Sequence, residues 1–334
     1  MGFFKKILGN IFDGQDSNKP DNSFIELVRA NDNGEEWARA KIQQMWQSND
    51  ETLIPRINSA RVVIYEDAAK AGDRDAIIKY ARGLEWCDRR DEALQWYMIL
   101  IDAGDTDAML ELASDYNEYG GMETNEAEEF KWIQKAAMMG NAKAQTKLGT
   151  EYMCRSDREN AYIWHKKSAE QGHPRGRAEY AKLLVEDMKI IGMYLANPSN
   201  FHSVPRLAEQ IKKYNLSADD EYISKLTELY SESCSLSEDV FDECRDESSV
   251  RTSLSNLIEL HLFSCNGIIK ANPYVAAYYM FVAYDMLEDE YQLNRLWDTV
   301  KRYNLQITNQ TLNEWSQMPL SDWAEKYNIQ LFSE

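Results

Sequence analysis

Histidine, cysteine, proline and glycine are all scarce in this chain, and basic residues are outnumbered by acidic ones. Of 334 residues, 4 are His, 5 Cys, 7 Pro and 15 Gly, while aromatic residues make up 11%. So little glycine and proline with so many aromatics excludes a disordered or low-complexity chain and favours an ordered, helix-rich one. The cysteines (Cys87, Cys154, Cys234, Cys244, Cys265) form no Cys-x-x-Cys pair and no regular spacing. That fits a reducing compartment better than a disulfide framework and makes a cytoplasmic location the expectation. No run of eighteen apolar residues exists, so no transmembrane helix is expected. The 37 Lys and Arg face 56 Asp and Glu, for a net charge of −19. Such a field repels phosphate backbones, and no basic patch offsets it, so nucleic acid is not an expected partner. Solubility and basic protein partners are favoured instead.

Catalytic signatures are missing too. There is no phosphate-cradling glycine loop, no His-Glu-x-x-His and no Gly-x-Ser-x-Gly. His165, His173, His202 and His261 are scattered, and the first two read as surface or turn residues, one following Trp164 and the other opening a repeat. Abundant carboxylates make chance pairs uninformative. No enzyme activity, cofactor or metal is expected.

What the chain does have is a period. Trp96, Trp132 and Trp164 are each followed eight residues later by a glycine, Gly104, Gly140 and Gly172. With Gly72 the glycines are spaced 32, 36 and 32 residues apart, and Asn117 to Thr124 supplies the extra length of the longer repeat. A fixed period of this size marks a stacked array of helix pairs. Four residues past each glycine stand Ala76, Ala108, Ala144 and Gly176; eight past stand Tyr80, Leu112, Leu148 and Tyr180. That spacing puts small and large residues on one stripe of a first helix, where the small ones admit a close neighbour. The second helix carries the tryptophan and ends in small or apolar pairs before a glycine that adopts the left-handed conformation without steric cost. The tryptophans therefore read as packing between helices, each costing about 3–5 kcal/mol on truncation to alanine.

At these residues the chain resembles the Sel1-like repeat family, a relative of tetratricopeptide arrays. The tandem stretch Glu126 to Gly172 carries the pattern of alanine, tryptophan, Lys-Ala-Ala and glycine, then alanine and Leu-Gly-x-x-Tyr. The resemblance covers residues 60 to 184. It implies an all-α, right-handed solenoid of helix-turn-helix repeats and a role in assembling protein complexes.

Beyond residue 184 the pattern decays. Leu257 to Tyr284 reads as a divergent repeat with Pro273 starting a helix. Leu207 to Leu226 aligns without gaps on Leu296 to Trp315, sharing Tyr-Asn-Leu. In each copy a helix ends at Tyr-Asn and another starts after a capping Ser217 or Thr308. Ser231 to Ser249 is acidic and serine-rich and reads as a solvated linker. The expected organisation is an N-terminal segment and linker (1–23), a repeat solenoid with closing helices (24–232), an acidic linker (233–248), and a divergent repeat with a C-terminal helix pair (249–334). In the N-terminal segment, Phe3, Phe4, Ile7, Leu8, Ile11 and Phe12 make one apolar helical face. Lys5, Lys6 and Gly9 break it as a signal peptide, leaving a helix docked on the body or a weak membrane-surface contact.

In helix-pair arrays the first helices line the concave face. Seven, ten and eleven residues past the glycines stand Lys79, Arg82, Glu111, Asp115, Lys147 and Glu151, which flank the apolar stripe and change sign from repeat to repeat. These six are the candidate partner-binding residues; Gly72, Trp96, Gly104, Trp132, Gly140, Trp164 and Gly172 are the structural frame. The favoured reading is a non-catalytic adaptor binding a protein or peptide. The alternatives are an immunity-type protein neutralising a basic bacterial toxin and a membrane-peripheral component anchored by residues 1–14.

Overall fold

Five glycines at positive φ set the beat of the chain. Gly34, Gly72, Gly104, Gly140 and Gly172 have φ of 86°, 87°, 88°, 94° and 78°. At Gly72, Gly104 and Gly140 an added Cβ would meet nothing within 4 Å, so the demand is conformational and not one of space. Each closes the same helix end. The Gly72 amide donates to Ala69 O and the Asp73 amide to Ala68 O, at 2.9 and 3.0 Å, and the other four glycines repeat the arrangement.

The computed structural model describes residues 20–47, 50, 52–117, 123–196, 219–243, 246–265, 269–318 and 320–326. The apolar N-terminal segment, residues 207–218 of the first Tyr-Asn-Leu copy and Cys244 lie outside them. The described residues are all-α apart from one antiparallel bridge between Cys265 and Ile269. No described helix is long and apolar enough to cross a membrane.

The chain divides into two compact units, residues 1–144 and 145–334. In the first, helices α1 (Asn22–Asp32), α2 (Glu36–Gln47), α3 (Leu53–Lys70), α4 (Arg74–Trp86), α5 (Arg90–Asp102), α6 (Thr106–Asp115) and α7 (Glu126–Met138) follow one another. α3 packs on α1 and α4, α5 on α4 and α6, and α6 on α7. The array starts one repeat earlier than the tryptophan spacing indicates. Gly34 is a hinge of the same kind, and Ala38 and Ile42, four and eight residues on, are buried with Phe24, Val28, Leu53 and Ile57.

α8 (Ala142–Cys154) spans the boundary. The second unit continues with α9 (Arg158–Glu170), α10 (Pro174–Ala196), α11 (Asp219–Glu243), α12 (Glu247–Leu262), α13 (Pro273–Leu287), α14 (Glu290–Tyr303), α15 (Asn309–Trp315) and α16 (Leu320–Lys326). α10 packs on α9, α11 and α12 around Tyr180, Leu184, Met188, Ile191 and Leu229. A second core gathers Leu254, Ile258, Met280, Leu296, Trp315 and Trp323 from α12 to α16. α14 ends at Asn304 in the left-handed region, and Thr308 caps α15 through a reciprocal pair with Thr311.

The acidic linker expected at 233–248 is not one. Helix α11 runs through Glu243, and only two residues of this stretch, 244 and 245, fall outside the described ones. Leu229, Ser233, Ser237 and Val240 recur at helical spacing and are buried, while Glu238 and Asp239 are exposed. Ser233 Oγ donates to Leu229 O at 2.6 Å, so its hydroxyl enters the core already bonded. Ser233 and Ser237 act as small core residues, which a charge count does not reveal.

Candidate partner-binding surface

The residue after each of the glycines 72, 104, 140 and 172 serves two helices at once. Its amide closes the helix before, and its side chain caps the helix after. Asp73 accepts from the Ala76 amide at 2.8 Å, Asp105 from Asp107 and Ala108 at 2.9 and 3.0 Å, and Asn141 from Ala144 at 2.9 Å. His173 Nδ1 accepts from the Gly176 amide at 3.2 Å, which requires that nitrogen to be unprotonated. Within the first unit these caps also tie repeat to repeat. Arg74 Nε donates to Asp105 Oδ2 at 2.5 Å, and Asn141 Nδ2 to Asp107 Oδ1 at 2.8 Å. Asp, Asp, Asn and His at one register position are a capping signal that spacing on the tryptophans passes over.

The six candidate residues all stand on first helices, but they do not share one environment. Lys79 of α4 lies 4.9 Å from the Tyr65 ring centre, and its ammonium donates to Tyr65 Oη at 3.4 Å. Tyr65 in turn donates to Asp32 at 3.1 Å, and Arg61 grips the same carboxylate at 3.0 and 2.7 Å. Burial alone would raise the Asp32 carboxyl; the forked guanidinium and the phenol outweigh it and hold it below its ordinary range. Arg82 of α4 forms an ion pair with Glu111 of α6, both partly exposed. Lys147 and Glu151 of α8 are half-buried, with Glu151 3.9 Å from Arg155.

Asp115 departs from the expectation. It does not sit on an exposed helix edge but is 7% exposed, at the end of α6, against Glu85 of α4 and Tyr97 of α5. The reason is register: Asp115 stands seven residues after Ala108 and three after Leu112, which places it on the buried stripe of α6. Glu85 and Tyr97 were missed as site residues.

The tryptophan frame is likewise uneven. Trp132 is 8% exposed, whereas Trp96 and Trp164 are half-buried. Trp96 meets Tyr80 edge-on at 5.5 Å, and Trp164 carries Lys167 4.3 Å from its ring centre. The residue following each tryptophan is the deeper one: Tyr97, Ile133 and His165 are 0%, 2% and 1% exposed. His165 is therefore a core residue and not a surface one. Among the described residues no group of three or more His, Cys, Asp or Glu is placed to hold a metal ion.

No family model matches the chain, and neither does any curated protein. Solved structures do. One is c5321, a protective antigen present in uropathogenic Escherichia coli strains and displaying an SLR fold, 17% identical over 83% of this chain and 68% of that one, with a TM-score of 0.31. Another is a Sel1 repeat protein from Oxalobacter formigenes, 18% identical over 78% of this chain and 98% of that one, also at 0.31. This chain is similar to Sel1-repeat proteins. The Sel1-like pattern lies where the tandem motif is found, on helices α3 to α10.

Proposed function

We propose that this Sel1-like chain is a non-catalytic scaffold that holds a protein or peptide on the face formed by its first helices. The observation that supports this is a constant frame carrying variable charge. Four residues past each hinge the side chain is buried or absent, and eight past it is buried, in every repeat from Ala76 and Tyr80 to Gly176 and Tyr180. Seven and ten past it, Lys79, Arg82, Glu111 and Lys147 stay partly exposed and change sign. Partly exposed side chains set on rigid helices are where recognition is placed. The partner is proposed to be basic, because a chain of net charge −19 attracts cationic surfaces over long range. A secreted basic toxin, bound as by an immunity protein, is one partner of that kind.

The test is a tagged full-length chain used to capture partners from its own cells, beside a variant with Lys79→Glu, Glu111→Lys and Lys147→Glu. A stoichiometric partner retained by the wild type and lost by a variant of unchanged melting temperature supports the reading. Equal capture by both removes it. Vesicle sedimentation with and without residues 1–14 tests the membrane alternative separately.

A further inference from the structure

Three buried acids of different strength converge in the first unit. Glu85 from α4, Tyr97 from α5 and Asp115 from α6 are 2%, 0% and 7% exposed. Both Glu85 carboxyl oxygens, Tyr97 Oη and Asp115 Oδ2 are shut off from solvent without a settled hydrogen bond, although the three groups lie within reach of one another. The surroundings offer little positive charge. On α4 itself stands Arg82, which is already engaged by Glu111 of α6. α5 contributes the phenol of Tyr97, which burial holds protonated. α7, packed on α6, brings Glu128 and Lys131 toward Tyr116, where they sit as an ion pair at 2.9 Å. α3, on the other side of α4, has Arg61 committed to Asp32 and Glu66 to Lys70. One guanidinium therefore faces three carboxyls.

Two carboxylates about 4 Å apart repel by roughly 4 kcal/mol at an effective dielectric near 20, before the cost of drying each is added. A single proton removes most of both terms, and it converts one acceptor into the donor that the cluster lacks. Which oxygen carries it is a property of the pair and not of either residue. We propose that Glu85 and Asp115 share one proton at neutral pH, taken up as the first unit folds, and that its loss in alkali loosens the α4–α5–α6 packing. The pair's behaviour does not depend on what the first-helix face binds.

Burial and the neighbouring Asp115 raise the Glu85 carboxyl, and burial raises Asp115, so the shifts have the direction that the geometry requires. The sign follows. A folded-state pKa above the unfolded one gives stability that is complete below the ordinary carboxylate range and is lost as pH climbs toward the folded value. The experiment is urea unfolding of the full-length chain at pH 6, 7 and 8, wild type against Glu85→Gln, which mimics the protonated acid. Relative to the variant, the wild-type unfolding constant should rise about tenfold per pH unit. Parallel pH profiles for the two proteins would overturn the proposal. Should Glu85→Gln not fold, Asp115→Asn serves in its place. Proton release on unfolding the wild type at pH 7.5 in weak buffer needs no variant: about one proton is expected, and none overturns it.

Discussion

His165 shows how one residue resists being read from sequence. It follows a tryptophan that looks like the packing residue, yet the imidazole is the group that reaches the core, where an added Cβ on Gly149 would lie 2.7 Å from the ring. Burial, then Arg175 and Lys182, press its pKa down to about 4, so it stays neutral in the fold. The signal was present in the register: Tyr97, Ile133 and His165 share the place after the tryptophan, but two apolar neighbours and a histidine do not look like one class. Gly149→Ala should destabilise the chain by about 1–3 kcal/mol through overpacking. In a double-mutant cycle, His165→Ala should remove most of that penalty; additive losses in thermal unfolding would show the contact to be slack. The tryptophans separate by the same logic. Trp132→Ala should cost about 3–5 kcal/mol, as a buried aromatic does, while Trp164→Ala should cost clearly less, because its half-buried ring faces the Lys167 ammonium. Equal losses in denaturant titration would contradict the burial ranking.

Helix starts and stops were legible where chemistry is local. The hinge glycines, Pro273, Thr308 and the turn at Asn304 all act within a few residues of themselves, and the sequence carries them openly. Two elements were not legible. α2 was hidden because its repeat has Gly34, Ala38 and Ile42 but Glu26 where the tryptophan would stand, eight residues before the glycine, and a search anchored on that spacing steps over it. The last half of α11 was hidden because serine and acid together suggest solvent, whereas Ser233 and Ser237 go inward and the acids outward. The capping role after each hinge makes a prediction at this scale. Asp105 caps α6 and also receives Arg74, so Asp105→Ala removes two amide acceptors and an inter-repeat ion pair together. A loss of about 1–2 kcal/mol is expected from the cap, with little added by the exposed ion pair. Asp105→Asn should keep most of the cap, and urea midpoints of the two variants give the comparison.

At the scale of the whole chain, fold class and repeat period were legible because a solenoid writes its geometry into sequence many times over. The candidate site was legible only in part. Lys79, Arg82 and Glu111 were found from register, but Asp115 was placed on the wrong side of its helix, and Glu85 was missed because partners from three helices leave no mark on any one of them. The two units hold opposite kinds of buried acid–base group, which makes their response to pH diverge. In the second unit His165 and His261 are both pressed to about 4, each chiefly by burial. A depressed folded-state pKa gives stability that is complete above the unfolded histidine value near 6.5 and is lost as pH falls toward 4, at most tenfold per pH unit for each histidine. In the first unit the shared proton of Glu85 and Asp115 works the other way, and acid favours the fold down to the ordinary carboxylate range. Between pH 7 and pH 5 the amides of α4 to α6 should therefore gain protection from hydrogen exchange, after correction for intrinsic rates, while those of α9 to α13 lose it. Combining His165→Ala with His261→Phe would flatten the second trend without touching the first, since neither ring belongs to the first unit. Protection that moved in the same direction in both would mean that one of the two buried groups is ionised in the native chain.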